Sequence, residues 1–296
     1  MNKTNIKTIY LAGSLLLLLV TCSSEEPVNN GEGARLPLEI GASISEPVVS
    51  RALGAVNYEK SSFAENDVIK IGTSATSLET SGTSYTYKKD VAQTLRWLPT
   101  SGGDGLTTTG SGYYYASYSP IGYIGILADQ SATAAVNYIK SNRLITDATP
   151  VSVNRINFSF SPAAAKVTVI VDYTDDVHVG VKVQLTGSNL TGASSSNPIT
   201  FYPVTATGKT HMYVAIVYPG VSKQYKIAVT SKATASSGTE DTKTYPSTGN
   251  ETQTLEAGHN YIYNFTSTFG LILNNVTVEA FKPGTGNGTG TDWGAS

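Results

Sequence analysis

The chain has 296 residues, of which 14% are charged, and its formal net charge is −2. This balance, without a basic block, gives no electrostatic footprint for nucleic acid, so we expect no nucleic-acid partner. Frequent glycine (28 residues) and tyrosine (18 residues) are typical of β-rich proteins with half-exposed strands and tight turns.

Residues 1–21 have the layout of a secretory signal peptide. Lys3 and Lys7 precede an apolar stretch from Tyr10 to Val20, which is too short to span a bilayer stably. The only cysteine, Cys22, follows in "LVTC", which resembles a bacterial lipobox whose thiol is acylated. The alternative is an ordinary signal peptide with a chance cysteine. We predict lipidation (palmitate) at Cys22 and a fold without disulfides.

Residues 22–35 are polar, contain Pro and Gly and have no apolar periodicity, which indicates a flexible tether. The tether begins with "SSEE" after the cysteine, which resembles the acidic tag of lipoproteins that Bacteroidetes send to the outer face of the outer membrane. We therefore expect a lipoprotein held at the cell surface by its lipid.

The first predicted strand is "LPLEIGASI", in which apolar residues alternate with others. Period-2 alternation is typical of a half-buried strand, and Pro37 favours an edge position. Five side chains are predicted to point inward: Leu36, Leu38, Ile40, Ala42 and Ile44.

The remainder of the chain predicts many short strands and one short helix, Ser131 to Asn142. Alternating segments such as "KVTVIVDY", "VGVKVQL", "QYKIAV" and "YIYNF" are separated by turn residues. This pattern predicts an all-β protein made of antiparallel sandwiches. "SPAAAK" at Ser161 interrupts the strands, so we predict two domains, 36–162 and 163–296.

No motif predicts catalysis, a cofactor or a metal site. His178, His211 and His259 lie far apart in sequence and are interpreted as surface or strand-end imidazoles. The three carboxylates between Asp172 and Asp176 lack the glycine and distal glutamate of an EF-hand, so a solvated turn is expected. No motif indicates the pair of carboxylates that a glycosidase uses.

A series of motifs along almost the whole chain resembles the fimbrillin-like (FimA/Mfa-type) fimbrial subunit lipoproteins of Bacteroidales. The order of the motifs carries the resemblance more than any one of them. They are the lipobox, the Arg51–Ala52 step, "ENDVIKIG", "LRWLPTSG", "NFSFSPAAAKVTVIV", "YVAIVYPG", "LEAGHNYIYNFT" and a closing Trp293. Ser161 stands where the family usually has a histidine.

The resemblance implies two tandem transthyretin-like sandwiches and maturation by an arginine-specific protease. The candidate cut lies between Arg51 and Ala52 and would remove the first strand, 36–51, together with the lipid on Cys22. An ordinary exposed arginine in a loop is the alternative for Arg51. Arg35 is the rival cut site, although a cut there removes no strand.

The resemblance further implies that the C-terminal strand of a neighbouring subunit fills the opened groove. An edge without its strand exposes unpaired backbone groups beside apolar core and templates pairing with another chain. In this chain the candidate donor segment is 271–296, with Val276, Val278 and Ala280 on one face.

Three functions are compatible with the sequence. The first is a structural subunit of an adhesive surface fimbria, or pilus, that assembles with other fimbrial subunits by strand exchange. The second is a lipid-anchored surface adhesin that binds a glycan or host ligand, with tyrosines as stacking platforms, and does not polymerise. The third is a surface glycoside hydrolase.

Overall fold

The computed structural model describes residues 35–45, 60–132, 135–194, 198–206, 208–233, 239–268 and 270–281. Strands dominate these residues, which confirms the predicted all-β class. The strands are β1 (Leu36–Pro37), β2 (Glu39–Ile44), β3 (Val68–Gly72), β4 (Thr83–Lys89), β5 (Leu95–Pro99), β6 (Thr107–Thr108), β7 (Tyr113–Tyr118), β8 (Leu144–Ile145), β9 (Thr149–Pro150), β10 (Arg155–Pro162), β11 (Ala165–Tyr173), β12 (His178–Gly187), β13 (Ile199–Thr200), β14 (Tyr202–Ala206), β15 (Thr210–Val217), β16 (Gly220–Ala233), β17 (Asp241–Tyr245), β18 (Glu251–Leu255), β19 (His259–Ser267) and β20 (Leu271–Ala280).

Helix is confined to short pieces among the described residues. A 3₁₀ turn, Ala75–Ser77, leads into α1 (Leu78–Ser81), and α2 (Val136–Ser141) follows later. The helix α2 lies inside the segment predicted to be helical, 131–142. None of the described helices is long and apolar enough to cross a membrane.

The strands up to Pro162 form one curled sheet. Its order is β2-β10-β8-β7-β3-β4-β5, with β9 paired to β7, while β1 pairs apart from it with β6. The edge strands β2 and β5 approach each other, so the sheet closes around its own core. Its pairs are antiparallel except β2 with β10, which run parallel. This parallel pair departs from the expected antiparallel sheet.

The core of this curled sheet follows from side-chain alternation. β10 alternates exposed and buried positions along all of its residues, which directs Ile156, Phe158 and Phe160 inward. These three side chains are at most 1% exposed and pack in one cluster with residues of β3, β4 and β7. Trp97 on β5 belongs to the same cluster and is 6% exposed.

The strands from Ala165 onward form two further sheets that face each other. One has the order β14-β15-β11-β19-β20, and the other has the order β13-β12-β16-β17 with β18 paired to β16. Between them lies a core of valines, isoleucines and aromatic side chains, in which the hydroxyls of Tyr225 and Tyr263 hydrogen-bond each other. The pair β11 and β19 is parallel, a second departure from the expected antiparallel pattern.

A separate apolar cluster connects α2 with the later strands. Tyr138 of α2 packs with Tyr202, Val214 and Ile216 on the outer face of the β14-β15-β11-β19-β20 sheet. The fully buried Gln130 adds two hydrogen bonds to the backbone of Ile216, each 2.8 Å long. The described residues from Arg35 onward belong to one compact unit, and the domain boundary at 162/163 stays a prediction.

Candidate strand-exchange site

The N-terminal segment forms an edge strand, as the alternation predicts. β2 pairs with β10 in register from Glu39 beside Arg155 to Ile44 beside Phe160. Backbone N–H groups extend the pairing at both ends, since Glu39 donates to the Asn154 carbonyl and Ser45 donates to the Phe160 carbonyl, each at 2.8 Å. The segment is therefore held by a continuous hydrogen-bond ladder.

The five predicted inward side chains are buried to different extents. Leu38 and Ile44 are 6% exposed and belong to the core of the curled sheet. Ile40 and Ala42 are half-buried and pack against that core. Leu36, however, is 43% exposed, so its predicted inward position is wrong. Its strand β1 pairs with β6 outside the main sheet, which keeps Leu36 away from the core.

The apolar contacts of β2 dominate the binding of this segment. Full burial of an aliphatic side chain contributes about 1.5–3 kcal/mol, so Leu38 and Ile44 together contribute roughly 3–6 kcal/mol as an upper bound. An ion pair joins Glu39 Oε2 to Arg155 Nε at 2.7 Å, but the two side chains are 58% and 74% exposed. Exposed pairs of this kind contribute little.

The predicted processing sites have different positions relative to the described residues. Arg51 and Ala52 lie outside the described residues, between Ser45 and Lys60, and Cys22 lies outside them as well. Arg35 is described and exposed, directly before β1. The cut site and the lipidation site therefore stay predictions.

The candidate donor strand is docked on its own sheet. β20 pairs antiparallel with β19, placing Val276 opposite Tyr263 and Val278 opposite Tyr261. Both valines lie on the side of the sheet that faces the core, but Val276 is 37% and Val278 is 49% exposed. Ala280 is exposed too. The three residues predicted for the donor thus share one face, which is largely open to solvent.

Phe281, which the sequence analysis did not single out, fixes the end of β20 by its packing. It is 3% exposed and lies in the cluster that contains Tyr138 and Tyr202. Its backbone N–H donates to the Gly258 carbonyl. The signal in the sequence was the bulky aromatic in "VEAF", which falls on the opposite face from Val276 and Val278.

The outer edge of β20 has no partner among the described strands, and β2 is likewise terminal in its sheet. One terminal strand in each of these two sheets is thus formed by a segment near an end of the described chain. Such edges are the places where a sheet can gain or exchange a strand. The arrangement can therefore support strand exchange without any chemistry at a catalytic residue.

All three histidines lie at or next to the first residue of a strand, as one of the two expected positions, but His178 and His211 are interior rather than on the surface. His178 is 7% exposed and stacks on Tyr173, with ring centroids 3.8 Å apart. His211 is 1% exposed, and burial lowers its pKa, although the Gly208 carbonyl that contacts its Nε2 acts in the opposite direction. In the part of the chain that the structure describes, no three His, Cys, Asp or Glu side chains are grouped as metal ligands would be.

Many tyrosines that could have served as sugar-stacking platforms are interior. Six are among the largest fully buried side chains, and they are Tyr85, Tyr138, Tyr173, Tyr213, Tyr225 and Tyr263. Burial raises the pKa of Tyr263 to about 12, because the ionised form is disfavoured away from water. These aromatic rings therefore serve packing.

Comparison with solved structures identifies the fold. A cell-adhesion protein from Bacteroides uniformis matches with a TM-score of 0.53 at 15% identity, over 83% of this chain and 99% of that one. Another from Bacteroides ovatus matches with a TM-score of 0.52 at 18% identity, over 84% and 98%. Neither a protein-family model nor a curated protein sequence matches the chain. At these identities the likeness shows the fold alone, which this chain shares with the two cell-adhesion proteins.

Proposed function

We propose that the chain is a structural subunit of an adhesive surface fimbria, without enzymatic activity. The observation that carries the proposal is that 39–44 forms an edge strand closing an apolar core, at the position where the resemblance calls for a removable strand. The naming of both matched structures for cell adhesion supports a role at the cell surface.

In this proposal the chain is exported, lipidated on Cys22 and held at the outer membrane. An arginine-specific protease cuts between Arg51 and Ala52, which frees β1 and β2 together with the lipid. Loss of β2 exposes the β10 edge beside Phe158 and Phe160, whose inward faces form the floor of a groove. The donor segment 271–296 of a neighbouring fimbrial subunit then fills this groove.

The test is brief digestion of the full chain with an arginine-specific protease. The expected result is release of a fragment ending at Arg51, followed by ladders of multimers on gels. An Arg51→Gln variant should stay whole and monomeric, and the matched control Arg35→Gln should be cut at Arg51 and assemble like the parent. Cleavage at Arg51 that yields only monomers would contradict strand exchange.

A second candidate is a surface adhesin that binds a ligand and never polymerises. It is favoured by the docked position of β20, whose end is fixed by the buried Phe281. A synthetic peptide with the sequence of residues 271–281 distinguishes the two. Binding of this peptide to the cut subunit, but not to the uncut chain, supports the fimbrial subunit, and failure to bind either supports the adhesin.

A further inference from the structure

A row of polar side chains is buried on the outer face of the β14-β15-β11-β19-β20 sheet. Lys166 on β11 is the register partner of Asn260 on the parallel strand β19, and Asn260 is the partner of Glu279 on β20. Lys166 is 8% and Asn260 is 6% exposed, while Glu279 is half-buried. A lysine is rarely buried to this extent, so the row calls for an explanation.

The carboxamide of Asn260 is contacted on both sides. Thr168 Oγ1 donates a hydrogen bond to Asn260 Oδ1 at 2.8 Å. Asn260 Nδ2 donates to Glu279 Oε1 at 3.2 Å. A hydroxyl at the carbonyl oxygen stabilises negative charge that develops there, and a carboxylate at the nitrogen, once it has taken up a proton, can deliver that proton to the nitrogen. The amide is thus arranged for attack at Cγ with loss of its nitrogen.

Lys166 lies beside this amide in the register of two neighbouring strands. Neighbouring strands are about 4.8 Å apart, which a lysine side chain spans easily. Lys166 Nζ stands over the ring of Phe281, 5.4 Å from its centroid. Phe281 belongs to an apolar cluster with Ala164 and Ile216, which limits the access of water to this side of the row.

We propose that Lys166 and Asn260 form an intramolecular isopeptide bond. Lys166 Nζ gives a proton to the Glu279 carboxylate and attacks Asn260 Cγ. The Nζ–Cγ bond forms, the electron pair moves to Oδ1 beside the Thr168 hydroxyl, and Glu279 passes its proton to Nδ2. When the carbonyl re-forms, the Cγ–Nδ2 bond breaks. An amine and a primary amide become a secondary amide and ammonia, and nothing is oxidised or reduced.

The bond would join β11 and β19 covalently in addition to their backbone ladder. It is independent of the proposed strand exchange, because all of its atoms lie within one chain. Glu279 belongs to β20, so the reaction requires β20 to be docked. The bond would therefore form in the subunit before any release of that strand.

The test is peptide mapping of the folded full chain by mass spectrometry after digestion with trypsin. Trypsin does not cut after an acylated lysine or between Lys282 and Pro283, so we expect residues 156–182 joined to residues 244–296, with the mass of one ammonia missing. Recovery of the separate, unmodified peptides from all of the protein would overturn the proposal.

Variants separate this bond from other losses of ammonia. Lys166→Arg keeps the charge but removes the nucleophile, so the joined peptides should disappear. If the variant still lacks one ammonia at Asn260, the loss is ring closure of the asparagine with its own backbone, and the proposal fails. The matched control Asn264→Ala changes another outer-face asparagine of β19 and should leave the joined peptides intact.

Glu279→Gln tests the proton transfer. The rate at which the joined peptides appear in newly synthesised chain, sampled over time after a pulse of expression, should fall by roughly 10²- to 10⁴-fold, the range for loss of a positioned acid–base group. Thr168→Val should slow it by about 10²- to 10³-fold, as loss of one donor to a developing oxyanion does. Unchanged rates in both variants would contradict the assigned roles.

Discussion

The burial of the first strand gives a quantitative prediction for Ile44→Ala. Ile44 is 6% exposed and packs on the core of the curled sheet. The substitution removes three carbons, and at about 0.8 kcal/mol for each the transfer loss is roughly 2.4 kcal/mol. Incomplete collapse around the vacated volume adds to this, which places the expected destabilisation at about 2–4 kcal/mol.

Leu36→Ala is the matched comparison, since it removes the same number of carbons from the same segment. Leu36 is 43% exposed, so we expect a loss of only about 1 kcal/mol. The assay is urea unfolding of the full chain followed by the fluorescence of Trp97, which lies in the same core as Ile44. Equal losses in the two variants would refute the assignment of Ile44 as buried and Leu36 as peripheral.

Three other predictions concern the C-terminal strand, a buried histidine and the exposed ion pair. Phe281→Ala should lower the free energy of local opening of β20 by about 3 kcal/mol and accelerate hydrogen exchange of the amides in this strand. Hydrogen exchange unchanged from the parent would contradict the role of Phe281 in fixing the strand. Burial lowers the pKa of His211, so the unfolded chain binds a proton at this residue more readily than the folded chain. Stability should therefore be full above about pH 6.5 and fall as the pH drops below that value. In His211→Asn, the urea concentration at the unfolding midpoint should depend less on pH below this value. Glu39→Gln should lower the free energy of unfolding by less than about 1 kcal/mol. Its free energy of unfolding should differ from that of Arg155→Gln by the same amount at low and at high salt, as unfolding titrations at the two salt concentrations would measure.

Alternation along the chain was sufficient to predict several of the strands, although not all of those that the structure shows. β2 and β10 both show the period of two, and the burial of Leu38, Ile44 and Phe158 follows from it. The error at Leu36 has a local cause, because the pairing passes from β6 to β10 between Pro37 and Glu39. Side-chain periodicity is the same in parallel and antiparallel strands, so the direction of β2 against β10 was not available from the pattern.

The features of the site that depend on long-range packing were not predictable in the same way. Phe281 is buried in a cluster that includes a residue of α2, which lies well over a hundred positions earlier in the chain, and no local pattern reports such a contact. The same holds for the burial of His178 and His211, whose neighbours come from separate strands. By contrast, the donor face of Val276 and Val278 follows from strand periodicity alone.

The parallel direction of β2 along β10 has a consequence for the geometry of a polymer. A donor strand that takes the place and the direction of β2 must have the same orientation at every junction between subunits. Each copy would therefore be related to the next by the same head-to-tail symmetry operation. Contacts of this kind do not close on themselves in pairs and build open chains with two chemically different ends. The polymer would then be polar, because one end would always carry an unfilled groove and the other end a donor segment without a partner.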